Sequence, residues 1–409
     1  MLRHLTLAVL AVVSGSSCSD SASTEPSVAA EGPALSANES TASTRWMVVT
    51  RNIVGRREVR GPLITARTFA LVAVAQYNAA VAAGTTKGSE KPPSEAAAVS
   101  SASAAVLRAL NPIEADSINA QVAADNLYFA IFTSETPFNF AAGTTIGQTV
   151  ATAVLSRAAT DRTDAVWTGT IPTGPGYGIN IAPAQPVSPR WGEARGWLLT
   201  SGNQFRPIAP PVFNSPQFQS ALTEVKTITA NRTAEQLTIA QFRQFASGPG
   251  GPMGYFTELA TGFTTAQPMN ERKTARVYAV MHMALMDASI SCRDAKYAFW
   301  YVRPFQPDPT ITTPVGRPNF PAWPSAHSCL SAAAAGVLTG LFPSATSMLS
   351  AKVAGRRAHL RRVAFQVRRD CRAGDRRKSC GAGVDAGAGR GFNNSTQLTR
   401  ALRSDARRT

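Results

Sequence analysis

Cysteine is scarce in this chain, with five in 409 residues, and that excludes a small scaffold stapled by disulfides. Long apolar runs are also missing. Residues 5–13 and the Ala-rich stretch 330–342 are both too short to span a bilayer. Little of the chain alternates apolar and polar residues with period two. No internal repeat is present, and no segment reads as a collagen or a coiled coil. Acidic residues are few: 25 Asp+Glu stand against 41 Lys+Arg, a net charge of +16. Such an excess raises the question of nucleic acid or anionic membranes as partners.

The excess is not evenly spread. Residues 352–409 hold 16 Lys+Arg and 4 Asp+Glu, so the rest of the chain is close to neutral. Those arginines lack interleaved aromatics or an amphipathic stripe, and no nucleic-acid partner is expected from them.

What the chain does have begins with an N-terminal segment in the order of a secretory signal. Arg3 and His4 precede the apolar run 5–13, and Ser-Gly-Ser-Ser-Cys follows. Cys18 is a candidate for lipid modification, although Gly15 stands where a lipobox usually has Leu. Residues 19–44 are rich in Ser, Ala, Thr, Glu and Pro and should form a flexible linker. The expected location is therefore periplasmic, extracellular or lipid-anchored at the cell surface. In that compartment Cys292 and Cys329 could pair, or could stay as two buried thiols.

The body, 45–350, is expected to be one all-α domain. Apolar residues recur at helical spacing over 62–83, 96–110, 113–132, 141–159, 233–245 and most clearly 270–290. In the last of these Asn270 can cap, Glu271 suits the first turn, and Val277, Val280, Met281, Ala284, Leu285 and Ala288 form one stripe. His282 lies on that stripe and reads as a core residue. Between 167 and 216 the pattern breaks into Gly and Pro with Trp191, Trp197 and Phe205. So long a break should be an ordered loop lining something.

The chemistry concentrates in 296–331. Lys296 is followed by Arg303-Pro304, and later by Pro324-Ser325-Ala326-His327 at the start of the Ala-rich helix. A lysine point charge and a guanidinium fork suit a tetrahedral anion with several negative oxygens. Ser325 and the backbone N–H groups of a helix's first turn add neutral donors. His327 can exchange a proton near neutral pH.

The pattern K-x6-R-P followed by P-S-A-H resembles the superfamily of vanadium-dependent haloperoxidases and type 2 phosphatidic-acid phosphatases, whose second motif is P-S-G-H. Residues 272–287, Asp294-Ala295-Lys296, Glu224-Val225-Lys226 and 232–236 look like its bacterial haloperoxidase branch. The resemblance implies an all-α bundle in which Lys296, Arg303, Ser325 and the Ala326 amide bind vanadate or phosphate and His327 is the catalytic acid/base. Vanadate is the implied cofactor if the chain is a haloperoxidase acting on halide and peroxide. No cofactor is implied if it is a phosphatase acting on phosphate monoesters.

The superfamily's third motif, S-R-x5-H, supplies a second Arg and a His that ligates vanadium or attacks phosphorus. It should begin near 355–365, and it is absent there. His359 is the one histidine available, and six positions before it stands Val353. No residue of this chain is thus expected to ligate the metal directly. Codons for 358–368 read one base out of register permit R-I-Y-G-G-L-H-F-K-F-D, which contains R-x5-H at the expected place. A reading-frame shift near 350–357 would explain a bundle truncated at its C-terminal end, a basic tail over 351–409 and impaired activity. A catalytically inactive surface lipoprotein or a basic-tail polyanion binder are the readings of another class.

Overall fold

The longest helix is built on the cap and stripe just described. In the computed structural model the Asn270 side chain accepts from the Lys273 N–H at 3.0 Å, and the helix α9 runs Glu271–Phe299. It passes the expected end at 290 because Cys292, Arg293, Ala295 and Lys296 continue its buried face. Trp300, in the left-handed region at φ 46°, ends it. The structure describes residues 41–56, 61–86, 90–131, 138–178, 185–243, 250–267, 269–314 and 316–350.

Among these residues are ten α-helices and no strand, with two isolated bridges. Besides α9 they are α1 (Ala42–Gly55), α2 (Pro62–Thr85), α3 (Glu95–Leu110), α4 (Ala115–Ile131), α5 (Phe140–Ala158), α6 (Pro216–Ala230), α7 (Ala234–Arg243), α8 (Gly251–Ala266) and α10 (Ala326–Leu341). The all-α expectation holds. Helices α1, α6 and α8 were not foreseen. In α1 the buried face mixes Trp46, Met47, Ile53 and Val54 with Thr44 and Thr50, so no clean apolar stripe marks it. It starts at Ala42, inside the stretch expected to be linker. The N-terminal signal, Cys18 and nearly all of that linker lie outside the described residues. So do the tail 351–409 and the frame question it carries.

Helix α2 is apolar nearly all round, as befits a helix enclosed by others. It packs against α9, α3 and α5. It is the one helix among the described residues long and apolar enough to cross a membrane, yet 67% of that window is buried within the protein. Helices α3 and α5 approach closely because Gly143 and Gly147 of α5 face α3. A Cβ on either would lie 2.4 or 2.3 Å from the carbonyl oxygens of Ser94 and Ala98.

Buried carboxylates tie the helices together. Asp125 of α4 accepts from Arg45 and Trp46 of α1 and from Ser100 of α3 at 2.6–3.0 Å. Glu271 accepts from the Ala42 and Ser43 N–H groups, both at 2.8 Å, and from the Ser43 hydroxyl. The same residue that suits the first turn of α9 therefore also caps α1. Burial raises its carboxyl above the ordinary range, while those hydrogen bonds pull it back.

A second, smaller apolar cluster joins Phe218 and Ala221 of α6 to Tyr301, Val302, Ala322 and Trp323. It fixes the segment between α9 and α10, which carries the candidate site.

Candidate oxyanion site

Lys296 sits in the last turn of α9 and is 1% exposed. Its Nζ donates to the carbonyls of Pro321 at 2.8 Å and Ala322 at 3.2 Å. Arg303 is 8% exposed, and its Nε donates to the Phe320 carbonyl at 2.8 Å. One of its terminal nitrogens lies 3.5 Å from the Pro321 carbonyl that Lys296 also uses. The two cations thus meet over the backbone of 320–322, three residues before Ser325.

Ser325 is the N-cap of α10; its Oγ accepts from the Ser328 N–H at 3.4 Å. A hydroxyl that accepts in this way still has its proton to donate. Ala326 is the first residue of the helix and His327 the second, all three half-buried. The Ala326 amide belongs to the first turn, where N–H groups have no partner within the helix. His282 lies elsewhere, fully buried and stacked on Phe69 at 4.9 Å.

Two groups missed by the sequence reading complete the surroundings. Phe320 presents its ring to Lys296 at 5.1 Å, Arg303 at 4.8 Å and Arg293 at 4.1 Å. Arg293 is 5% exposed and stands one turn before Lys296 on α9. That i, i+3 spacing was the available signal for it. Phe320 gave none, since its role depends on the fold of the connecting segment.

The electrostatics are one-sided. Among the described residues no carboxylate pairs with Arg293, Lys296 or Arg303; the nearby Asp294 pairs with Arg206 at 2.7 Å, and Asp308 with Lys226 at 2.9 Å. Burial, then the neighbouring Arg303 and Arg293, brings Lys296 down to about 7. Burial and Arg293 bring Arg303 down to about 9. Uncompensated buried cations are unfavourable unless an anion joins them. The residues therefore fit a multiply charged oxyanion such as vanadate or phosphate.

Cys292 and Cys329 face each other across α9 and α10, with sulfurs 2.6 Å apart and both buried. Burial alone would raise the Cys292 thiol. The hydrogen bond from Cys329 and the charges of Lys296 and Arg293 outweigh it and leave that thiol below its ordinary value. The contact holds the end of α9 that bears Lys296 to the first turns of α10.

The Gly/Pro-rich break covers this end of the molecule. The Val302 N–H donates to Gly176 O at 2.9 Å, the Gly178 N–H to Trp300 O at 3.0 Å, and Tyr301 Oη to Pro211 O at 2.9 Å. Further along, Asp287 of α9 accepts the N–H groups of Trp197, Leu198 and Leu199 at 2.7–3.1 Å. The described residues of the loop therefore pack against α9 and the connecting segment that hold the cations.

No protein-family model matches the sequence, and no curated protein does. Solved structures do match the fold. A bacterial vanadium-dependent iodoperoxidase is similar with a TM-score of 0.69 at 19% identity, over 85% of this chain and 95% of that one. The holo form of a bacterial vanadium-dependent chloroperoxidase gives a TM-score of 0.52 at 15% identity, over 68% of this chain and 76% of that one. An apo form gives 0.56 at 15% identity, over 69% and 78%. The chain has the all-α fold of vanadium-dependent haloperoxidases.

Proposed function

We propose that this chain is an exported, vanadium-dependent haloperoxidase-like enzyme whose oxyanion cradle serves the oxidation of halide by hydrogen peroxide. The observation that carries the reading is the group of buried cations around 320–322, without a carboxylate partner among the described residues, beside the N-terminus of α10. The fold shared with structures named as vanadium-dependent peroxidases favours this over phosphate-ester hydrolysis on the same cradle. Export rests on the N-terminal signal pattern alone.

Bound vanadate would supply the activation of peroxide towards halide. Lys296 and Arg303 would hold its oxygens and balance their charge, turning their donors from backbone carbonyls to the anion. Ser325 Oγ–H and the Ala326 N–H would donate as neutral partners, favoured by the positive end of the α10 dipole. His327 would hold or release a proton at its ring, close to neutral pH. Ala326, where P-S-G-H has Gly, keeps the amide but places a Cβ beside the anion. Without the third motif, the chain ending in Thr409 would bind oxyanion and turn over poorly.

Calorimetric titration of the purified protein with orthovanadate tests the cradle, and Lys296→Met and Arg303→Gln should each weaken binding at least tenfold. Iodide and bromide oxidation, set beside p-nitrophenyl phosphate hydrolysis, then separates the two chemistries in protein with the frame restored. Phosphatase activity without vanadate-dependent halide oxidation would overturn the haloperoxidase assignment.

A further inference from the structure

Arg293 is the buried cation that neither sequence motif includes. Its Nη1 is buried and has no hydrogen-bond partner. Tyr297, one turn on, engages the guanidinium while its own hydroxyl donates to Val187 O at 2.6 Å. The guanidinium carbon lies 4.1 Å from the Phe320 ring centroid, the same ring that Lys296 and Arg303 lie over. Lys296 and Arg303 both donate to backbone carbonyls, whereas the Arg293 Nη1 has no acceptor at all.

Arg45 also leaves one guanidinium nitrogen without a partner, but Asp125 neutralises it, whereas Arg293 has no carboxylate partner among the described residues. A buried guanidinium nitrogen without an acceptor, in a group of three cations that no carboxylate pairs with among the described residues, is placed to receive an anion. We propose that Arg293 is a third cationic ligand of this site, its Nη1 donating to an oxygen of a tetrahedral oxyanion held by Lys296 and Arg303. It would supply the second guanidinium that the absent third motif leaves wanting. The inference rests on the oxyanion reading of Lys296 and Arg303. It adds a residue whose position, one turn before Lys296 on the same face of α9, fixes where the extra charge stands.

The test compares unsubstituted protein with Arg293→Met and Arg293→Lys. The readouts are orthovanadate and inorganic phosphate affinity by calorimetry, and thermal unfolding with and without vanadate. Arg293→Met should weaken vanadate binding about ten- to a hundredfold, and Arg293→Lys by less, because charge is kept while the fork is lost. The ligand-free Met variant should unfold at the same or a higher temperature than the parent, since an unpaired buried charge is gone, and vanadate should raise its Tm less. A structural arginine would give the reverse: a lower ligand-free Tm and unchanged vanadate affinity, which would overturn the inference while leaving the cradle intact. If Arg293→Met does not fold, an affinity of Arg293→Lys within twofold of the parent overturns it equally. Failure of the unsubstituted protein to bind either anion would remove the cradle itself.

Discussion

His282 shows how one side chain can encode a pH limit. It is fully buried, its Nε2 faces Thr257 Oγ1 at 3.1 Å, and its Nδ1 has no partner, so burial lowers its pKa from 6.5 to about 3. Between pH 3 and 6.5 the unfolded chain binds a proton that the folded one refuses. This contribution to stability is complete above pH 6.5 and is lost as pH falls towards 3, by an amount on the order of several kcal/mol. His282→Gln should flatten the acid side of a urea-denaturation stability curve; an unchanged acid slope would contradict this. Lys296 works in the opposite sense for binding. With its pKa near 7, it is largely uncharged at pH 8, and an oxyanion would recharge it. Calorimetry in buffers of different ionisation enthalpy should show a proton taken up on vanadate binding at pH 8, and Lys296→Met should lose that uptake. The sequence singled out Lys296, Arg303, Ser325 and His327 as candidates through spacing. Its i, i+3 spacing put Arg293 on the Lys296 face of the helix, but a lone arginine reads as a solvated charge until the fold buries it.

At the scale of elements, close approach and capping decide where the helices sit. A methyl at Gly147 would lie 2.3 Å from the Ala98 carbonyl, so Gly147→Ala should push α5 off α3 and destabilise by about 1–3 kcal/mol. Gly262 of α8 has open space around it, and Gly262→Ala should stabilise by about 0.5–1 kcal/mol, checked by the same denaturation series. Asp287 holds the 197–199 loop through three N–H groups. Asp287→Asn turns an N–H₂ donor towards at least one of them and should cost about 1–3 kcal/mol. Protease cleavage near Trp197 should report the released loop. Seven helices were legible, six from periodicity and caps such as Asn270 and α10 from its Ala-rich run. Helices α1, α6 and α8 were not. The α1 face includes buried Thr44 and Thr50, whose hydroxyls are satisfied by neighbours far along the chain or by the helix backbone, so local hydropathy misrepresents it.

For the molecule as a whole, the charge of +16 concentrates beyond residue 351, where the third motif should lie. Re-reading the nucleotides around codon 350 is expected to reveal a one-base shift that restores R-x5-H. The restored protein should turn over halide with vanadate, where the chain ending in Thr409 shows little turnover. Robust turnover by mass-verified protein ending in Thr409 would contradict this. The sequence by itself determined the all-α class, the near-neutral body, the two candidate motifs and the cap that starts the longest helix. Those follow from local periodicity, composition and spacing. Only the tertiary structure decided that three cations share the Phe320 ring, two of them on the backbone of 320–322, with no carboxylate pairing with them among the described residues. Burial and mutual distance are properties of the packed chain, and they turn ordinary basic residues into groups that call for an anion.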